Sequence, residues 1–155
     1  MALSTIGTNS VADSAVTSAI YVVMDEQDWS GAAWHVIQLG TVNGLQTTGY
    51  DSAVAYPGSG NSYYANSAQE NNGIKYVYNA NARHSSIVEI YRSNHSGTRW
   101  VGKSRTHTQE DSYSYSCYSI CDVQLDGAEP LDRIRITTTG SKTSSGIGNM
   151  TVFFL

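Results

Sequence analysis

Charged residues, prolines and cysteines are scarce in this sequence. Asp, Glu, Lys and Arg make up 14% of the 155 residues, against roughly 25% in a typical globular domain. Small polar residues and eleven tyrosines take their place, a composition that favours β structure with uncharged polar surfaces. Such surfaces suit an extracellular or virion protein and do not indicate a metabolic enzyme.

Basic residues are missing from the first half of the chain. Residues 1–74 contain six acidic residues and no Lys or Arg, whereas residues 75–155 contain nine basic and seven acidic residues. The net charges of the two parts are therefore about −6 and +2, an asymmetry that can serve docking of one subunit on another. Because no large basic surface is available to neutralise phosphates, nucleic acid is not expected as a partner.

Long apolar runs are also missing. No stretch of eighteen apolar residues occurs, so no membrane span is expected. The first residues have neither a positive region nor an apolar core, so no signal peptide is expected and the protein would be made in a cytoplasm.

The two cysteines, Cys117 and Cys121, are four residues apart. On a strand they would point to the same face about 13 Å apart, too far for a disulfide unless the chain bends. We therefore predict two part-buried thiols. The alternative is a metal site with His95 or His107, but no zinc-type spacing supports it.

No pattern indicates catalysis. The sequence lacks a Gly-x-Ser-x-Gly elbow between a strand and a helix and a His-Glu-x-x-His motif, and its paired carboxylates lie in polar stretches. We predict a protein that is not an enzyme, with no catalytic residues, no metal and no cofactor.

Short alternating segments separated by Gly and Asn turns recur every 10 to 15 residues. This spacing predicts an all-β fold, an antiparallel β-sandwich or jelly roll spanning residues 20–155. The predicted strands cover residues 20–24, 34–42, 52–56, 74–79, 86–92, 98–106 and 113–125. The acidic run 25–28 is expected to end the first of them.

The C-terminal residues 131–155 contain two further predicted strands. Ile134 and Ile136 alternate with Arg133 and Arg135, and an apolar strand ends the chain. We expect the two to form a closing antiparallel pair that places these isoleucines on the core.

Residues 1–19 are small, polar and nearly neutral, too poor in large apolar side chains to build a core. One interpretation is a disordered tail. The other is an arm that becomes ordered against a neighbouring subunit through its isolated apolar residues Leu3, Ile6, Val11 and Val16.

Residues 6–19, which read IGTNSVADSAVTSA, resemble the opening of bacteriophage tail-fibre and related virion proteins. Gly-Tyr-Asp and the apolar residues after it, in 49–56, resemble small β-domains at the ends of phage fibres. In the family a lysine and repeats often follow the opening phrase. Here Ile20 follows and the phrase does not repeat, so no long shaft is expected.

The resemblance implies a non-enzymatic virion structural protein made in the host cytoplasm, either a short tail-fibre subunit or a head-decoration (cement) subunit. It would dock by its arm and oligomerise through its β domain, with a homotrimer favoured and other virion proteins as partners.

A basic cluster lies on one predicted hairpin and has two interpretations. It can be a solvated edge that blocks strand pairing, or a docking face for acidic residues of another copy. The expected inter-subunit charge contacts join Asp25, Glu26 and Asp28 to Arg92, Arg99, Lys103 and Arg105.

Aromatic residues suggest an alternative function, a carbohydrate-binding module that recognises a cell-surface glycan. Tyr63 and Tyr64, in a predicted loop, and Trp100 are the candidate stacking residues. The competing interpretation is that most of the aromatic residues pack the sheets.

Overall fold

The computed structural model describes ten stretches of the chain, residues 4–5, 19–28, 32–57, 63–66, 72–80, 83–93, 98–109, 114–125, 131–140 and 148–154. Every regular element within these stretches is a β-strand, and the strands pair antiparallel. The predicted all-β antiparallel class is therefore confirmed.

Twelve strands are numbered in chain order. They are β1 (Ser4–Thr5), β2 (Ala19–Asp28), β3 (Ala32–Thr41), β4 (Gly44–Leu45), β5 (Tyr50–Pro57), β6 (Tyr63–Asn66), β7 (Ile74–Ala80), β8 (Arg83–Arg92), β9 (Arg99–Gln109), β10 (Ser114–Gln124), β11 (Arg133–Thr138) and β12 (Asn149–Phe154).

The strands form two sheets of unequal size. The larger sheet has eight strands in the order β1-β12-β2-β8-β9-β10-β5-β6, and its middle is the β8-β9-β10 meander. The smaller sheet is built on β3, which pairs with β11, β4 and β7. The two sheets are stacked as in a β-sandwich. The jelly-roll alternative stays a prediction.

Strict alternation on the central strands produces the core between the sheets. Along β9, Trp100, Gly102 and the next even-numbered residues are buried, while the odd-numbered residues are exposed or half-buried. Gly102 allows close approach of the sheets, because a Cβ there would lie 2.9 Å from Cδ1 of Ile74 on β7. The largest apolar cluster includes Ile20, Val22, Leu39, Val88, Ile90 and Val152.

The predicted closing pair of C-terminal strands is wrong. β11 pairs with β3 in the smaller sheet, and β12 pairs with β2 in the larger one. The two C-terminal strands therefore belong to different sheets. Ile134 is buried as expected, and Ile136 packs against the same core cluster from a partly buried position.

The acidic run does not end the second strand. β2 continues to Asp28 and stays paired with β8, with a register shift between Met24 and Gln27. Glu26 has a φ of 51°, so a β-bulge accommodates the polar residues without breaking the ladder.

Little of the predicted N-terminal arm is described. Ser4 and Thr5 pair with Val152 and Thr151 on the edge of the larger sheet. Leu3, Ile6, Val11 and Val16 lie outside the described residues. Regular pairing of β2 begins at Ala19, one residue before the predicted start of the domain.

Candidate functional site

The side of the larger sheet that points away from the smaller sheet is called the outer face here. It carries alternate residues of β8, β9, β10 and β5, and the strand register arranges them in three rows. The upper row is Ile87, Arg105, Tyr118 and Ala55; the middle row is Glu89, Lys103, Ile120 and Ala53; the lower row is Tyr91, Val101, Asp122 and Asp51.

Three large apolar side chains of the outer face are exposed, and together they are called the outer patch. Ile120 is 60% exposed, Tyr118 49% and Ile87 46%. Tyr118 and Ile120 follow each other on β10, and Ile87 lies across β9 in the upper row. Single exposed apolar residues are ordinary, whereas several on one face make that face a candidate interaction surface.

A charged and aromatic network borders the outer patch. Lys103 Nζ lies 3.1 Å from a carboxylate oxygen of Glu89 and 5.3 Å from the ring centre of Tyr91. The Tyr91 hydroxyl donates to Glu89, and its ring meets Tyr21 edge-on at 6.2 Å between centres. These contacts hold the Lys103 ammonium against Glu89 and Tyr91 of β8.

A second charge pair lines a shallow depression on the same face. Arg99 Nε donates to both carboxylate oxygens of Asp122 at 3.1 and 3.0 Å, and this hydrogen bonding raises the pKa of Arg99. Asp51, Val101 and Ile120 contribute to the same depression. The depression thus combines fixed charges with apolar side chains.

Within the three rows of the outer face, a positive and a negative residue have no ion-pair partner in the part of the chain that the structure describes. Arg105 in the upper row and Asp51 in the lower row are both exposed. Their charges are therefore available to a molecule that covers the outer face.

The interior also contains polar residues, at the end of the sandwich opposite the aliphatic core. The rings of His35 on β3 and His84 on β8 are 4.9 Å apart between centres, and both contact Tyr76 on β7. Burial, together with His84, lowers the pKa of His35 from 6.5 to about 3. Ser86 and Thr106 share a hydrogen bond of 2.8 Å nearby.

This buried polar end joins the sheets. Thr106 Oγ1 donates to the Tyr76 carbonyl oxygen at 2.9 Å, linking β9 of the larger sheet to β7 of the smaller one. Because these groups are removed from solvent, no substrate can reach them in this conformation. We interpret them as structural.

Cys117 and Cys121 lie on the inner face of β10 and do not form a disulfide, as predicted. Both thiols are buried, more completely than the part-buried positions that were expected. Burial raises the pKa of Cys121 to about 12. Such a thiol is a poor nucleophile at neutral pH.

The predicted glycan-binding aromatic residues do not come together on one exposed surface. Trp100 is 1% exposed and packs in the core, so its place among the stacking residues is wrong. Tyr63 and Tyr64 lie on strand β6, paired with β5, and not in a loop as predicted. β6 pairs with β5, the strand that carries Asp51. The glycan-binding role of Tyr63 and Tyr64 stays a prediction.

The predicted basic cluster is partly brought together. Arg99, Lys103 and Arg105 lie on the outer face of β9, and Arg92 ends β8. Arg99 and Lys103 pair within the same chain. Of the predicted acidic partners, Asp25 accepts a hydrogen bond from Ser85 and Glu26 is exposed. The side chain of Asp28 lies outside the part of the chain that the structure describes. Inter-subunit contacts of these residues stay predictions.

Sequence reasoning missed the outer patch and Asp51. The sequence does contain a signal for two residues of the outer patch, because Cys117 and Cys121 are expected on one face of a strand. Tyr118 and Ile120 alternate with them and therefore point to the opposite face. Ile87 lies on the outer face for the same reason, between Ser86 and Val88.

Groups that could hold a metal ion, with three or more His, Cys, Asp or Glu, do not occur among the described residues. Nor does any described helix have the length and apolarity to cross a membrane.

Comparison with protein-family models, with curated proteins and with solved structures gave no match.

Proposed function

We propose that this chain is a non-enzymatic structural subunit of a bacteriophage virion, either a short tail-fibre subunit or a head-decoration (cement) subunit. It assembles through its β domain and docks by its N-terminal arm. The observation that carries assembly is the outer patch, where Tyr118, Ile120 and Ile87 are exposed on the outer face of one sheet. The virion setting is supported by the resemblance of residues 6–19 to phage virion proteins.

The arm can dock by strand addition. Ser4 and Thr5 pair with the outer edge of β12, so this edge of the sheet accepts an added strand. Main-chain hydrogen bonds of this kind give affinity without needing a large apolar area. In an assembly the same edge can receive the arm of a neighbouring subunit, and repeated copies would add avidity.

The test compares purified phage particles with and without the arm. Mass spectrometry of particles should find the protein at a fixed stoichiometry. Deletion of residues 2–18 should leave the melting temperature of the β domain nearly unchanged and should strongly reduce its amount in particles. Deletion stops before Ala19, which is buried in β2, so that the first core strand stays intact.

Three outcomes would contradict the proposal. Absence of the protein from purified particles would remove the virion role. Unchanged incorporation of the deletion variant would show that the arm does not dock. Unfolding of the variant would place residues 2–18 in the core.

The second candidate is a carbohydrate-binding receptor-recognition module. The depression lined by Asp51, Arg99 and Asp122 favours it, because carboxylates and guanidinium groups hydrogen-bond sugar hydroxyls while Val101 and Ile120 offer apolar contact. A glycan array would test it. Binding that is lost in Asp122→Asn, or in Tyr63→Ala with Tyr64→Ala, would favour this candidate.

A further inference from the structure

We propose that the outer faces of two copies of this chain pack together about a two-fold axis, with Arg105 of each copy opposite Asp51 of the other. The inference rests on the proposed oligomerisation through the β domain and names the contact that mediates it. It differs from the predicted charge contacts, because Asp51 replaces Asp25, Glu26 and Asp28 as the acidic partner.

The strand register gives the relative positions of the residues. Ile120 lies in the middle row on β10. Arg105 lies one strand to one side and one row up, and Asp51 lies one strand to the other side and one row down. With strands about 4.8 Å apart and rows about 6.7 Å apart, each lies roughly 8 Å from Ile120, on opposite sides.

Ile120 is thus the midpoint between a positive and a negative charge that lack ion-pair partners among the described residues. The proposed two-fold axis passes over Ile120, parallel to the sheet and perpendicular to the line from Arg105 to Asp51. Rotation about this axis brings the Arg105 position of one copy over the Asp51 position of the other. Each Arg105 then faces the Asp51 of the other copy, and the two Ile120 side chains meet at the centre. One apolar contact is flanked by two ion pairs.

The same operation is favourable for the neighbouring residues. Lys103 of one copy falls next to Asp122 of the other, so its ammonium meets a second carboxylate besides that of Glu89, while Asp122 keeps its contact with Arg99 of its own chain. The large ring of Tyr118 falls near Ala53, whose small side chain leaves space. The strands of the two sheets cross at roughly 70°, close to the orthogonal class of sheet packing.

A second copy suits this surface because the contact satisfies charges that have no ion-pair partner within the described part of one chain. Arg105 and Asp51 are exposed on the same face, and their arrangement about Ile120 is self-complementary. Such an isologous contact closes with two copies. It therefore predicts a dimer, or an assembly built from dimers, and departs from the trimer that the resemblance implies.

Charge reversal tests the contact directly. In Arg105→Glu and in Asp51→Lys, two attractive contacts of the dimer become two repulsive ones. Sedimentation velocity of either variant alone should show dimerisation weakened by roughly 30-fold or more. The double variant, Arg105→Glu with Asp51→Lys, should dimerise again because the introduced carboxylate of each copy would face the introduced ammonium of the other.

Mixing the two single variants is the sharpest form of the test. In a heterodimer, the introduced Glu meets the introduced Lys at one contact, and the native Arg105 meets the native Asp51 at the other. The mixture should therefore dimerise about as well as wild type. Arg83→Glu is the matched control, since Arg83 is exposed on the outer side of the same sheet but lies roughly 20 Å along the strands from Ile120. It should dimerise normally.

The inference is overturned by wild-type protein that sediments as a monomer or a trimer, by single variants that dimerise normally, or by a mixture that stays monomeric. These results concern only the two-fold contact. The proposed virion role is judged separately, by the presence of the protein in particles and by its dependence on residues 2–18.

Discussion

The hydroxyl of Tyr50 accepts a hydrogen bond from the backbone amide of Leu39 at 2.7 Å. Tyr50 begins β5 in the larger sheet, and Leu39 lies on β3 in the smaller one. The same hydroxyl is 3.1 Å from the carbonyl oxygen of Gln46, to which it donates. One buried side chain therefore ties the two sheets together by its polar atom.

Replacing Tyr50 with Phe should destabilise the domain by about 1–3 kcal/mol, because the buried amide of Leu39 loses its partner. The free energy of unfolding from urea denaturation measures the effect. Tyr118→Phe is the matched control, since this hydroxyl lies on the half-exposed ring of the outer patch. Equal stability of the two variants would show that the Tyr50 hydroxyl does not join the sheets.

Acid should destabilise the domain through His35. Its pKa is lowered from 6.5 to about 3 in the folded protein by burial, with a contribution from His84. The unfolded chain therefore binds a proton below pH 6.5 that the folded chain does not bind. The contribution of His35 is complete above pH 6.5 and falls as the pH drops toward 3, by roughly 3 kcal/mol between pH 7 and pH 4.

Unfolding free energies measured from pH 7 to pH 4 should show this slope in wild type. In His35→Gln the slope should be shallower, whatever the stability of the variant at pH 7. His107→Gln, which changes an exposed histidine on β9, is the matched control. Equal slopes of unfolding free energy against pH in His35→Gln and His107→Gln would show that His35 does not carry the acid dependence.

The two cysteines should not react in the folded protein. Both are buried, and the pKa of Cys121 is raised to about 12. A thiol reagent at pH 8 should label neither residue in native protein and both in guanidinium chloride. No labelling after denaturation would indicate a disulfide, and rapid labelling of native protein would show that the inner face of β10 is accessible.

Alternation made the central strands predictable. The sequences of β8 and β9 have a period-two pattern, and the residues Asn-His-Ser-Gly at 94–97 are typical of a turn, so the existence and approximate bounds of the two strands follow from the sequence. The burial of Trp100 follows from the same parity, since it shares a face with Gly102. The interpretation of the Trp100 ring as a sugar-stacking surface does not take this parity into account and is therefore wrong.

Strand partners were harder to predict than strands. The turn-rich residues 140–148 are compatible both with a hairpin inside one sheet and with a crossing between sheets, and local residues do not distinguish them. Pairing of β12 with β2 joins residues more than a hundred positions apart. Such pairing depends on which buried faces match, a property of the whole core.

The candidate site depended on the same long-range information. Arg105 and Asp51 are 54 positions apart in the sequence, and only the pairing of β10 with both β9 and β5 places them on either side of Ile120. Sequence reasoning identified Arg105 as a docking residue from its basic neighbours. It had no means of selecting Asp51 from the other acidic residues.

We propose that the β domain assembles through the outer patch. The most direct measurement compares the self-association constants of Ile120→Asp and Val42→Asp by sedimentation equilibrium. Both substitutions replace an exposed apolar side chain, 60% exposed at Ile120 and 62% at Val42, but Val42 lies in the turn after β3 and away from the outer face. We expect Ile120→Asp to be monomeric at concentrations where Val42→Asp associates like wild type. Equal association of the two variants would contradict it.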